Sequence, residues 1–229
     1  MIFWFGIVLL GLTTGMGVYL FRGSRSINRL SDYSPWPSDE KAVSVSVVVA
    51  ARNEERNIRE ALTSLVHLDY PWYELIVVND RSDDGTESII TAMQDEFPFL
   101  HVVTVQTLPE GWLGKNHALW QGSLIASGDF LLFTDADVVM ARDTLSRAVG
   151  CCVETKADHL VATPALRLPS PVLGMFSIVF TIVFSLYMRP WQARNPHSRA
   201  HVGGGAFNLV RTAAYRDVGG HQALAMRPD

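Results

Sequence analysis

The chain has 229 residues, 19 Lys and Arg against 23 Asp and Glu, a formal net charge of −4 and 48% hydrophobic residues. That length suffices for one α/β domain with a sizeable core and is short for two, and without a basic excess or a long block of like charge the chain does not suit nucleic acid. The two cysteines, Cys151 and Cys152, are adjacent; they give neither a disulfide framework nor metal-ligand spacing, and fit small buried side chains in a reducing compartment.

Ile2 to Phe21 carries no charge and then meets Arg22, Arg25 and Arg29. A helix over this stretch is about 30 Å long, enough to cross the hydrocarbon of a bilayer. Basic residues follow the stretch rather than precede it, so it reads as an uncleaved anchor, residues 1–22, and not as a secretory signal. The positive-inside bias puts everything after it in the cytoplasm. The expected location is the cell (inner) membrane, with a single-pass anchor and a cytoplasmic catalytic domain. Residues 23–42, with Pro35, Pro37, Asp39 and Glu40, read as a polar linker.

A folded domain over 43–229 follows. Val43 to Ala50 (VSVSVVVA) is β-branched and apolar, and ends at Ala51-Arg52-Asn53-Glu54-Glu55; Asn57 to Val66 then places Ile58, Leu62 and Leu65 at helical spacing. Glu74 to Val78 is a second buried strand running into Asn79-Asp80-Arg81-Ser82-Asp83-Asp84-Gly85-Thr86, with a helix over Glu87 to Gln94. His101 to Val105 is a third strand, Asn116 to Ser127 a helix and Phe130 to Phe133 a fourth strand. Strands alternating with helices predict a mainly parallel sheet flanked by helices, with one transmembrane helix in front.

The segment Phe130 to Val138 (FLLFTDADV) is the most informative. An apolar strand delivers Asp135 and Asp137 at its end, and on an extended chain the i, i+2 spacing aims both carboxylates the same way. Two converging hard oxygen donors suit Mg²⁺ or Mn²⁺, and such an ion suits a diphosphate. In sheets of this kind ligands sit at the carboxyl ends of the strands. Three strands bring polar groups there: Arg52, Asn53 and Glu54 from the first, Asp80 from the second, Asp135 and Asp137 from the fourth. Asp80 is placed to hydrogen-bond a ribose hydroxyl or a base edge, since Asp83 and Asp84 are available to cap the turn. Lys115, on the glycine-bracketed loop Gly111-Trp112-Leu113-Gly114-Lys115-Asn116, can offset phosphate charge at a helix N-terminus. Neither a G-x-G-x-x-G after the first strand nor a P-loop occurs, so a metal rather than a glycine loop would hold the diphosphate.

Taken in order, Ala51-Arg52-Asn53-Glu54, Val78-Asn79-Asp80-Arg81-Ser82-Asp83-Asp84-Gly85-Thr86, Gly114-Lys115-Asn116-His117-Ala118-Leu119, Asp135-Ala136-Asp137 and Gly203-Gly204-Gly205-Ala206-Phe207 resemble a family 2 glycosyltransferase of GT-A fold. The leading apolar helix and Leu108-Pro109-Glu110-Gly111-Trp112-Leu113-Gly114-Lys115 are similar to bacterial membrane-anchored members that glycosylate carotenoid or hopanoid lipids. The resemblance implies that Ala51, Arg52, Asn53 and Glu54 line the nucleotide pocket. It puts Asp80 on the uracil or ribose, Lys115 near the nucleotide, Asp135 by the ribose and metal and Asp137 on the metal. Gly203 to Phe207, with Gly204 and Gly205, would form a close-packed loop facing donor sugar or acceptor. It further implies an inverting transfer from a nucleoside-diphosphate sugar, a UDP-sugar, to a lipid or polyprenyl acceptor, with a divalent cation, Mn or Mg, as cofactor. The acidic base of similar enzymes follows the Gly-Gly that is here Gly219-Gly220. Asp229 is at most the edge of that motif, so the base is expected beyond it and the chain is expected to be incomplete at its C-terminus.

Pro171 to Met188 (PVLGMFSIVFTIVFSLYM) is uncharged and at the lower length limit for a crossing. A true span would put Gly203 to Phe207 across the bilayer from Asp135, so an interfacial or core-packed helix is expected, with Arg167 and Arg189 at lipid headgroups. Two alternatives remain: a nucleotide-sugar-binding protein without transfer activity, and a nucleotidyltransferase, which is disfavoured because Val43 to Glu55 contains no glycine.

Overall fold

The computed structural model describes residues 1–37, 42–166, 168, 170–195 and 197–226. Asp39, Glu40, Arg167 and Asp229, named above, lie outside the described residues. The chain divides into two units: residues 1–29 with 165–202, and residues 30–164 with 203–229.

The second unit is built on a six-stranded sheet. Its strands are β1 (Val45–Ala51), β2 (Tyr73–Asp80), β3 (Leu100–Val105), β4 (Phe130–Asp135), β5 (His159–Val161) and β6 (Asn208–Arg211), in spatial order β3-β2-β1-β4-β6-β5. β1 pairs parallel with β2 and with β4, and β2 with β3; β6 runs antiparallel to both β4 and β5. The sheet is thus mainly parallel, as the strand–helix alternation predicts. The continuous Val, Ile and Leu runs of β1, β2 and β4 follow from burial on both faces.

Alternate residues of the central strands supply two cores. Val45, Val47, Val49 and Ala51 of β1 face α2 (Ile58–Val66), α3 (Thr86–Glu96) and α5 (Thr144–Thr155). Val48, Ile76, Val78, Leu131 and Phe133 face α4 (Gly114–Ile125). In α5, Leu145, Ala148, Val149 and Cys152 are buried, and burial pushes the Cys152 thiol up to about 12. Both cysteines are free and buried.

The expected linker does not behave as one. Its first residues continue the N-terminal helix, which runs over Ile2–Arg25, and residues from Leu30 onward belong to the folded unit. The Trp36 amide donates to the Ser146 carbonyl at 3.0 Å, Arg147 Nη1 donates to the Tyr33 carbonyl at 2.6 Å, and Tyr33 is buried. Gly150 makes this packing feasible, because a Cβ there would stand 2.4 Å from the Ser34 carbonyl oxygen.

The first unit holds α1 (Ile2–Arg25) and α6 (Pro171–Met188), both without charge along their apolar stretches. They meet near their C-terminal ends: the Tyr19 and Trp191 rings lie edge to face at 5.2 Å, and a Cβ on Gly23 would stand 2.5 Å from the Trp191 ring. Ser170 caps α6, its hydroxyl accepting from the Leu173 amide at 3.3 Å, and Pro171 occupies the first helical position. Within the described residues nothing buries any residue of α6. Both helices are long and apolar enough to cross a membrane by length and composition.

Candidate functional site

The ends of β1, β2 and β4 lie side by side, with Ala51 opposite Asn79 and Ala50 opposite Asp135. The chain runs from β1 outward through β2 to β3, then returns to the other side of β1 as β4, so these ends flank a topological switch point. Strand alternation puts Asp80 on the face of Ile76 and Val78, and Asp135 on that of Leu131 and Phe133. Both carboxylates therefore belong to the face that α4 covers.

The first turn of α4 meets both. Asp80 is 3% exposed and accepts from Arg81 Nε at 2.8 Å and Nη2 at 2.9 Å. Gly114 sits directly on this pair: a Cβ there would stand 2.7 Å from Arg81 Nη2, 2.9 Å from Asp80 Oδ2 and 3.8 Å from Arg52 Nη1. A larger residue would lift the helix start off the site. The next residue, Lys115, places Nζ 2.9 Å from Asp135 Oδ1. Over that contact lies Gly205, whose Cβ would come within 2.5 Å of Lys115 Nζ and 2.9 Å of Asp135 Oδ2. Thr134 Oγ1 donates to the Ala206 carbonyl at 2.8 Å and pins the glycine loop beside β4. The structure thus brings Asp80, Lys115, Asp135 and Gly205 to one place, with Arg52 beside Gly114.

Asp137 is not on the strand that the i, i+2 argument assumes. β4 ends at Asp135, and the chain turns, with the Val138 amide donating to the Asp135 carbonyl at 3.4 Å. Asp137 is exposed in this turn, so its direction is set by the turn and not by strand alternation. Among the described residues no three His, Cys, Asp or Glu side chains gather to hold a metal. What the site does offer a cation is hard carboxylate oxygen at Asp135, where the Lys115 ammonium already stands in a cradle that a Cβ at Gly205 would fill. This fits a divalent ion bound by one or two carboxylates with diphosphate and water completing its shell.

The loops after β1 and β2 are latched together. Asn53, at φ 58°, donates its amide to Ser82 Oγ at 3.1 Å and accepts from the Asp83 amide at 3.0 Å on its side-chain oxygen. The Glu54 amide donates to Thr86 Oγ1 at 2.8 Å, and the Gly85 amide to Glu55 Oε2 at 2.9 Å. Asp84 accepts from the amides of Thr86 and Glu55. Desolvation would raise its carboxyl, but these bonds outweigh that and hold it below the usual range. Asp84 therefore does the turn capping, which leaves Asp80 to its strand end.

Sequence reasoning missed Arg81, His117 and the 220–226 segment. His117, one turn beyond Gly114, is buried beside Trp112 and Trp120, with ring centroids at 5.3 and 6.0 Å. Burial pushes its pKa down, against Asp80, which raises it. Its Nδ1 is buried without a hydrogen-bond partner. Asn116 Nδ2 donates to the Leu224 carbonyl at 2.7 Å, and the Leu113 amide to that of Ala225 at 2.8 Å, fastening the 220–226 segment to the start of α4. The adjacent charges of Asp80 and Arg81 were the only local signal of their pairing.

The profile of glycosyl transferase family 2 matches residues 46–219, a range that takes in the ends of β1, β2 and β4, the start of α4 and the Gly205 loop. The chain belongs to that family. It is 26% identical over 203 residues, 88% of its length and 47% of the relative's, to poly-beta-1,6-N-acetyl-D-glucosamine synthase of Staphylococcus epidermidis. It is 32% identical over 153 residues to beta-monoglucosyldiacylglycerol synthase of Trichormus variabilis, covering 64% of this chain and 31% of that one. The family 2 chain thus spans less than half the length of these relatives. Among structures, it is similar to mannosyltransferase PcManGT from Pyrobaculum calidifontis in complex with GDP-Man and Mn²⁺, with TM-score 0.66 and 25% identity over 93% of this chain and 57% of that one. It also resembles S. aureus TarS 1–349 in complex with UDP-GlcNAc, with TM-score 0.51 and 25% identity over 76% of this chain and 47% of that one. The GT-A-like fold expected from the sequence is therefore present, and membership of this family weighs against the nucleotidyltransferase alternative.

Proposed function

We propose that the chain moves a sugar from a nucleoside-diphosphate donor, a uridine-linked one, to a lipid or polyprenyl acceptor at the cytoplasmic face of the membrane, with inversion at the anomeric carbon. The observation that carries this reading is the pair of carboxylates, Asp80 and Asp135, on either side of the β1 end and both under the first turn of α4.

In this reading Ala51, Arg52, Asn53 and Glu54 line the nucleoside, and Asp80 accepts from a ribose hydroxyl or the base edge. Lys115 and the amides at the N-terminus of α4 face the diphosphate. Asp135 and Asp137 would hold a divalent cation, which supplies charge neutralisation to the departing diphosphate. Gly204 and Gly205 let backbone approach the donor sugar without a side chain intervening. Binding of nucleotide sugars by similar proteins, and of Mn²⁺ by one of them, supports the donor and cofactor assignments.

The membrane assignment draws on the two exposed apolar helices and on the arginines at their ends, Arg22 and Arg25 on α1 and Arg189 after α6. β5 and β6 pair with each other, Val161 opposite Asn208, so the intervening chain leaves and re-enters the sheet at one edge. A single crossing by α6 would need a second crossing to make that return, which supports an interfacial helix. A lipid acceptor is in keeping with the similarity to a diacylglycerol-glycosylating relative.

The test is calorimetric titration of the full chain in detergent with uridine diphosphate, with and without Mn²⁺, alongside guanosine diphosphate and Asp137→Ala. Metal-dependent binding of the uridine nucleotide that weakens at least tenfold in the variant is the expected result. Tighter guanosine diphosphate binding would reassign the base, and no binding of either would end the donor-site reading.

A further inference from the structure

Two ion pairs lie next to each other at the start of α4, and they differ in kind. The Asp80 carboxylate is the more enclosed: its side chain is 4% exposed, each oxygen accepts one bond from the same guanidinium and keeps a lone pair for a further donor, and Gly114 lies against the pair. Asp135 is more open: Lys115 Nζ stands 2.9 Å from its Oδ1, and the two side chains are 35% and 39% exposed. A bidentate, enclosed Arg–carboxylate pair persists. A half-exposed ammonium–carboxylate pair is worth only a few-fold in an equilibrium constant and exchanges readily.

We propose that Lys115 is a built-in exchangeable counter-ion: in the donor-free protein its ammonium occupies the cation position at Asp135, and on donor binding it moves from that carboxylate onto the diphosphate. The proposal rests on the donor-site reading above. Three features of the site suit the exchange. The ammonium is a compact point charge on a flexible four-carbon stem, able to trade one oxygen for another without moving the backbone. The space it fills is bounded by Gly205, whose Cβ would come within 2.5 Å of Nζ, so what replaces it at Asp135 must be small. Lys115 also sits in the first turn of α4, where amides and helix dipole favour an anion arriving beside it.

The exchange makes two ligands interdependent. A divalent ion offered alone must compete with Lys115 for Asp135. A diphosphate draws Lys115 away and thereby opens the carboxylate, so each ligand raises the affinity for the other, reciprocally. Lys115 should accordingly oppose one kind of binding and favour the other, which a residue that only contacts phosphate would not do.

The experiment uses the full chain in detergent and the substitution Lys115→Met. Mn²⁺ binding without nucleotide is followed by loss of the electron paramagnetic resonance signal of the free aqueous ion, and uridine diphosphate binding at saturating Mn²⁺ by calorimetry. The expected result is opposite signs: Mn²⁺ alone binds about fivefold tighter in the variant, while the nucleotide binds about tenfold weaker. Lys115→Arg, which keeps the charge, should return Mn²⁺ affinity towards the wild-type value. A gain in metal affinity cannot come from misfolding, and Lys115→Gln repeats the comparison should Lys115→Met fail to fold. Unchanged or weaker Mn²⁺ binding together with weaker nucleotide binding would overturn the exchange and leave Lys115 a phosphate ligand only. Wild-type protein that binds no uridine diphosphate even with Mn²⁺ would instead overturn the donor-site reading, and the exchange with it.

Discussion

Gly122 is where α4 rests on the sheet, and replacing it with alanine sets two effects against each other. A Cβ at this position would stand 2.4 Å from Val48 Cγ1, 3.1 Å from Val78 Cγ2 and 3.6 Å from Ile76 Cγ2. Alanine favours the helix by about 1 kcal/mol over glycine. Carbon atoms, however, pack at about 3.5–4.0 Å, so Val48 or the helix must give by roughly 1 Å. Val48 is β-branched and fully buried in a central strand, with no soft torsion to turn aside. The helix must lift, at an overpacking cost of about 1–3 kcal/mol, and an overlap this deep belongs at the upper end. The net expectation is a loss of about 1–2 kcal/mol, or a Tm lowered by about 3–6 °C for a chain of this size. Thermal melting by circular dichroism in detergent measures it. Gly174→Ala in α6, where nothing lies within 4 Å, is the comparison and should show no loss. Because Gly114 and Lys115 ride on the same helix, Gly122→Ala should also weaken uridine diphosphate binding. A variant as stable as the parent, or more so, would refute the close packing of α4 and with it the positioning of Lys115 over Asp135.

Three further outcomes are expected. His117 is a base held below its ordinary 6.5 by burial, so the unfolded chain takes up the proton first: stability is full above pH 6.5 and falls as pH drops towards the folded value. Urea midpoints from pH 8 to pH 5 should show this slope, reduced in His117→Gln. Gly150→Ala should cost about 1–3 kcal/mol in urea denaturation, because a backbone carbonyl, that of Ser34, stands 2.4 Å from the added methyl. Asp80→Asn leaves the Arg81 guanidinium without its carboxylate and should cost about 2 kcal/mol of stability, with weaker nucleotide binding read in the same calorimetric titration.

The parts of the fold that could be read from the sequence are those whose burial leaves a continuous trace. β1, β2 and β4 are unbroken β-branched or apolar runs because helices cover both their faces, and polar clusters at their ends gave Asp80 and Asp135 directly. β5 and β6, at three and four residues, are too short for a period to show. Gly114 reads as loop punctuation, so the helix over 116–127 was expected to begin after it. The structure starts α4 at this glycine because the Asp80–Arg81 pair leaves no room for a side chain. Arg81 adopts φ 54°, a conformation its neighbours in the sequence do not advertise. The stretch before β1 looks like a linker by its prolines and polar residues. What holds Leu30 to Trp36 down is a gap at Gly150, more than a hundred residues away, and no local pattern records it.

The antiparallel neighbours β5 and β6 make the long stretch between them, entropically, a hairpin loop. Its two ends are already fixed side by side by the ladder, so added or removed length changes the closure cost by only about 0.6 kcal/mol per doubling. The strands that carry Asp80 and Asp135 lie further inside the sheet and need not re-register when that loop is exchanged. Segment 165–202 can therefore be lengthened, shortened or replaced at little cost to the sheet that holds Asp80 and Asp135.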